Sequence, residues 1–188
     1  PLHRGNLRGS WGRNKRWDYW AVLAGDLVVA ATYADIDYLG LGDVWWVDLA
    51  TGERGGVNVA SPLGRGVNLP ERPGTAPLTL HHKNLDLTID DAPDGTTTIS
   101  ARWTEANGSP AELEARIALP DGHESLNVVI PWSRKRFQYT SKHQARPATG
   151  RPTVGGKTRV LEDAPPGAWG CLLYTSPSPR NRTRSRMP

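Results

Sequence analysis

From Trp17 onward, apolar and polar positions alternate in short runs separated by turn residues. Residues 18–24 are aromatic and β-branched, and the Gly25-Asp26 turn signal joins them to DLVVAATY, Asp26–Tyr33, as a predicted hairpin. Residues 43–49 (DVWWVDL) predict a strong strand closed by Thr51-Gly52. The stretch 78–89 predicts one half-buried strand, because Leu85, Leu87 and Ile89 alternate with polar residues. Asp94-Gly95 marks another turn, followed by a Thr-rich strand over 96–103. Leu113, Ala115, Ile117 and Leu119 form the next apolar stripe. Residues 126–132 and 136–140 make a further pair, and 154–161 a last hairpin around Gly155-Gly156.

These runs recur roughly every ten to fifteen residues, and none keeps a 3.6-residue period. The predicted class is therefore all-β, an antiparallel sandwich or barrel. The 20 Gly and 16 Pro among 188 residues work against long helices. No apolar run approaches the roughly 18 residues of a membrane helix, so no membrane span is expected. Residues 64–74, rich in Gly, Pro and Arg, are expected to form a loop. The predicted organisation is a basic segment over 1–16, a β domain over 17–163 and an irregular tail over 164–188.

Charge changes the picture mainly at the ends. Residues 1–16 carry five basic side chains and no acid, whereas 17–53 carry seven acids and no base. That segregation allows the two segments to pair, or to stand as separately solvated faces. The net charge of +4 resides in Arg180, Arg182, Arg184 and Arg186, without which basic and acidic residues balance at 19 each. Pro, Ser and Arg cannot build a core there. Cys171–Arg180, CLLYTSPSPR, resembles the translated end of a sequencing adapter, as found in fragmentary metagenomic assemblies. On that reading the basic tail is no nucleic-acid arm, and the chain is a fragment. Cytoplasmic location is the expectation. The lone Cys171 excludes an intrachain disulfide and a Cys-based zinc cluster.

Aromatic placement is the main chemical signal, with eight Trp against one Phe. These indoles are either core filler or the wall of a ligand pocket. Trp45 and Trp46 are strand neighbours and must face opposite sides. The candidate ligand-binding residues are Trp17, Tyr19, Trp45, Trp132 and Tyr139, with Arg65, Gln138 or Lys142 satisfying a polar end. Asp35 and Asp37, around a Gly-rich bend, are the candidate acid/base pair; turn formation is their plainer role. No metal site is expected, since the histidines lack zinc spacing, and no cofactor is expected, since GxGxxG and GxxxxGK[ST] are absent. Arg134, Lys135 and Arg136 suggest a solvated hairpin turn.

Four blocks occur in order: PLHRGNLRGSWGRNKRWDYWAV (1–22), ADIDYLGLGDVWWVDLATGE (34–53), PLGRG (62–66) and ESLNVVIPWSRKRFQYTSKHQARPATG (124–150). Together they resemble the bacterial family called domain of unknown function 2804, over about residues 1–163. Family members continue into a Trp/Gly/Arg-rich segment, of which Ala168-Trp169-Gly170 is the only trace here. The family carries no established activity. A remoter similarity, to lipocalin-like β proteins such as hydroxyneurosporene synthase and AttH-like proteins, implies an aromatic-rich barrel around apolar, often isoprenoid, ligands. The expected function is thus binding of a small apolar or lipid-like ligand in an aromatic-lined pocket. A hydratase or isomerase on an isoprenoid-like substrate, and a carbohydrate-binding module with an exposed Trp platform, are the alternatives.

Overall fold

The computed structural model describes residue 12 and residues 14–70, 73–133 and 136–179. Among these there is no helix, so none long and apolar enough to cross a membrane. Strands β1 (Arg16–Ala24), β2 (Leu27–Asp35), β3 (Leu39–Asp48) and β4 (Arg54–Pro62) form one antiparallel meander. A second comprises β5 (Leu78–His82), β6 (Leu85–Asp91), β7 (Thr97–Thr104) and β8 (Pro110–Ile117). The hairpin β9 (Leu126–Ser133) and β10 (Arg136–Gly150), a short ribbon β11 (Thr153–Val154) and β12 (Lys157–Thr158), and β13 (Ala168–Pro179) complete the chain.

All pairs are antiparallel, in the order β4-β3-β2-β1-β13-β10-β8-β7-β6-β5. The sheet curls back on itself, bringing β4 against β6 and β7 in a nearly closed barrel. The period-two pattern is the cause: in β3 and β7 every second side chain is buried. The buried set includes Trp20, Val22, Val29, Tyr33, Val44, Trp46, Leu87, Ile99, Trp103, Leu113 and Ile117. The barrel interior is thus filled by side chains, each large apolar one contributing about 1.5–3 kcal/mol on burial. The two halves also touch through polar atoms: the Tyr33 hydroxyl donates to the Thr79 carbonyl at 3.1 Å. Gly42 leaves the room that Leu80 and Leu85 occupy.

A bulge between His143 and Arg146 divides β10. Its first half pairs with β9 and its second half with β8. The bulge turns Arg146 inward, where it is 3% exposed. Its guanidinium donates to the carbonyls of Gly95, Ala118 and Ile117 and lies 5.2 Å above the Trp20 ring. An interior arginine is stable only with such a set of partners.

The all-β expectation holds, and so do the hairpins at Gly25-Asp26 and Gly155-Gly156; of the 64–74 loop, residues 64–70 and 73–74 are free of strand, as expected. Three details are corrected. The stretch 78–89 is two strands, divided at Lys83-Asn84. Strand β4 is an addition; its paired glycines and Pro62 dilute the signal that marked the other strands. The expectation of an irregular 164–188 fails over β13, which lies between β1 and β10 at the centre of the sheet. Two flanking edges offer backbone partners there, and Tyr174 and Thr175 have the β propensity to use them. Arg180 to Arg186, Trp11 and the Arg134-Lys135 run lie outside the described residues. Of the basic segment, Arg16 pairs with Asp35 at 2.9 Å, one point of contact between the two charged segments.

Candidate functional site

The paired glycines of β4 stand opposite the paired indoles of β3, Gly55 with Trp46 and Gly56 with Trp45. A Cβ at Gly55 would collide with the Glu105 carboxylate and the Trp46 indole nitrogen. One at Gly56, where φ is +141°, would collide with the Val44 carbonyl and the Trp45 backbone. The missing side chains let Glu105, just beyond β7, reach across. Its Oε1 accepts the indole N–H of Trp46 at 2.7 Å and of Trp103 at 2.9 Å, and its Oε2 accepts the Gly56 N–H at 2.8 Å. Around this clamp lies an open groove of about 1070 Å³, lined by β3, β4, residues 105–109 and the β11–β12 turn.

Three residues of the groove, Asp43, Trp45 and Asn58, belong to the outer face of the first meander. In register across β1 to β4 stand Tyr19, Thr32, Asp43 and Asn58. Trp45 follows Asp43 on the same face, and Trp17 precedes Tyr19. Asn58 Nδ2 donates to Asp43 Oδ1 at 3.3 Å. Burial raises the Asp43 pKa, opposed by that hydrogen bond. Burial also raises the Tyr19 phenol, with the negative charge of Asp43 adding to it. Between the aromatics, Ala30 and Ala34 are almost fully shielded although they point outward.

A family model for a domain of unknown function, DUF2804, matches residues 1–176. The chain belongs to this family. No curated protein matches the DUF2804 chain. Among solved structures it is similar to kievitone hydratase from Nectria haematococca, with 14% identity and a TM-score of 0.41. The match covers 97% of this chain and 53% of that one, so the DUF2804 chain spans about half the hydratase's length.

The structure distributes the sequence-predicted residues of the DUF2804 chain over several places. Trp17, Tyr19 and Trp45 share the outer face, and Trp45 lines the groove. Tyr139 packs against the core instead, its ring 6.4 Å from that of Tyr174 and its hydroxyl donating to Asn127 at 2.7 Å. Gln138 donates to Thr140 at 3.4 Å, Lys142 is exposed, and Arg65 is exposed in the β4–β5 loop. Trp132 stands on β9, with its side chain outside what is described. Asp35 binds Arg16 and accepts the Asp37 N–H, while Asp37, at φ 66°, accepts the Asn14 backbone and side-chain N–H groups. Both carboxylates therefore build the β2–β3 turn. Among the described residues no group of three or more His, Cys, Asp or Glu side chains is placed to hold a metal ion.

Sequence reasoning passed over two further groups. Glu105 was one; the facing Gly-Gly and Trp-Trp pairs were its available signal. The other is Asp18, which alternates with Trp20, Val22 and Ala24 and so occupies the apolar side of β1. It is 6% exposed, and burial, then the nearby Asp91 carboxylate, push its pKa up to about 7. The Trp20 indole, outside hydrogen-bonding geometry, opposes that rise.

Proposed function

We propose that this DUF2804 chain binds a small ligand with one flat apolar face and a hydrogen-bonding rim, the class to which a sugar ring belongs. The single observation behind this reading is the juxtaposition of Trp45 with the Asp43–Asn58 pair at a groove of about 1070 Å³. The Trp45 ring would take the apolar face, and Asp43 and Asn58 the rim. Of the functions expected from sequence, this matches the carbohydrate-binding alternative. An apolar or lipid-like guest in an enclosed aromatic pocket finds less support, because the interior aromatics Trp20, Trp46 and Trp103 are consumed in core packing.

The test is calorimetric titration of the full chain with neutral oligosaccharides and, in parallel, isoprenoid alcohols. Saccharide binding weakened by about tenfold or more in Trp45→Ala, on the ~1.4 kcal/mol scale, is the expected result. Binding of the isoprenoids alone, or saccharide binding indifferent to Trp45→Ala, refutes the reading. Thermal melting of the variant checks that the half-buried ring was not needed for folding.

A further inference from the structure

On the inner face, apart from the groove, a second polar cluster interrupts the core. Asp18 Oδ1, Trp20 Nε1, His143 Nδ1 and His123 Nε2 are buried there without a hydrogen-bond partner. The cluster is continuous. Arg146 covers the Trp20 ring, and the His123 and His143 rings stack with centroids 5.3 Å apart. Asp91, which accepts the Thr97 hydroxyl at 2.5 Å, lies close enough to act electrostatically on Asp18, His143 and Arg146. Unsatisfied buried polar groups are rare in native proteins, and a bound water is their commonest remedy.

Asp18 and Asp91 open into one crevice with Leu69, Pro70, Gly74 and Tyr174. The space open to a water centre is about 10 Å³, enough for one molecule and too little for an organic substrate. We propose that this crevice is a water-binding, proton-sharing site in which Asp18 reaches Asp91 through a single bound water. The Asp18 carboxyl O–H donates to the water, and the water donates to the Asp91 carboxylate. The proton is kept on Asp18, which is buried beside the half-buried Asp91 carboxylate and ionises there only at a cost. The groups facing the pair from neighbouring strands are Tyr174 on β13 and Arg146 and His143 on β10, with His123 from the β8–β9 connection behind His143. Arg146 and His143 both lie within electrostatic reach of Asp91.

The test uses the full chain carrying 13Cγ-labelled aspartate. The Asp18 resonance, assigned by its loss in Asp18→Asn, is expected to titrate near 7 rather than 3.8. Asp91→Asn, which leaves Asp18 in place, is expected to move that midpoint down. A crystal structure at pH 5.5 is expected to show one water within hydrogen-bonding distance of both carboxyls. An Asp18 midpoint near 3.8, a midpoint indifferent to Asp91→Asn, or an Asp18 bonded directly to protein across a dry crevice overturns the proposal.

Discussion

Trp46 donates its indole N–H to Glu105 across 2.7 Å and 59 positions of sequence. The same carboxylate takes Trp103 and the Gly56 backbone, so four elements are pinned at one residue: β3, β4, β7 and the turn that follows it. This is where the curled sheet closes without a backbone ladder. Charge-assisted bonds of this kind are roughly twice as strong as neutral ones.

Glu105→Ala would leave two indole N–H groups and one backbone N–H without their acceptor. Each newly unsatisfied buried donor costs about 1–3 kcal/mol, and partial rehydration at the groove offsets some of the sum. A net loss of about 2–4 kcal/mol in urea denaturation is expected, with a red-shifted tryptophan emission. Glu105→Gln should lose less, because the amide oxygen still accepts. Equal stability of Glu105→Ala and wild type would remove the clamp from the account of closure.

Asp18 makes stability depend on pH. Its folded pKa of about 7 stands above the unfolded value of 3.8, so between these limits the folded state holds more protons. Stability therefore falls as pH rises from about 4 to about 7, and this contribution is level above that. The shift corresponds to at most about 4 kcal/mol. Asp18→Asn should abolish this part of the dependence, gaining on wild type when urea midpoints at pH 4.5 and pH 8 are compared. A constant difference between the two proteins across that range would contradict the linkage.

Strand β13 bridges β1 and β10 from Trp17↔Thr175 to Ala24↔Ala168 on one side and from Arg136↔Pro179 to Pro147↔Trp169 on the other. A chain ending at residue 170 would expose both edges and uncover Trp20, Asp18 and Tyr139. Broad, non-cooperative melting with aggregation is expected of it in calorimetry. A sharp transition at the temperature of the full chain would mean that β1 and β10 need no strand between them.

The outer-face candidates show how far a pattern reaches. Alternation places Trp17, Tyr19 and Trp45 on one side of their strands, and a period of two permits nothing else. Whether that side faces a cavity or solvent depends on how strands stack, which alternation leaves open. The apolar side took Trp20, Trp46 and Trp103 into a packed interior, and the other set was left outside. Asp35 and Asp37 mark a turn in the sequence and make one in the structure.

The order of apolar and polar residues was sufficient for the all-β class, most strands and the hairpin turns, because each depends on neighbours a few positions apart. Family membership was equally legible in the ordered blocks. Glu105 between Trp46 and Trp103, Asp18 beside Asp91, and Arg146 over Trp20 arise only when strands distant in the chain come to share an interior. Register and closure then determine which polar groups lose water, and it is that loss, rather than residue type, that sets the chemistry of Asp18.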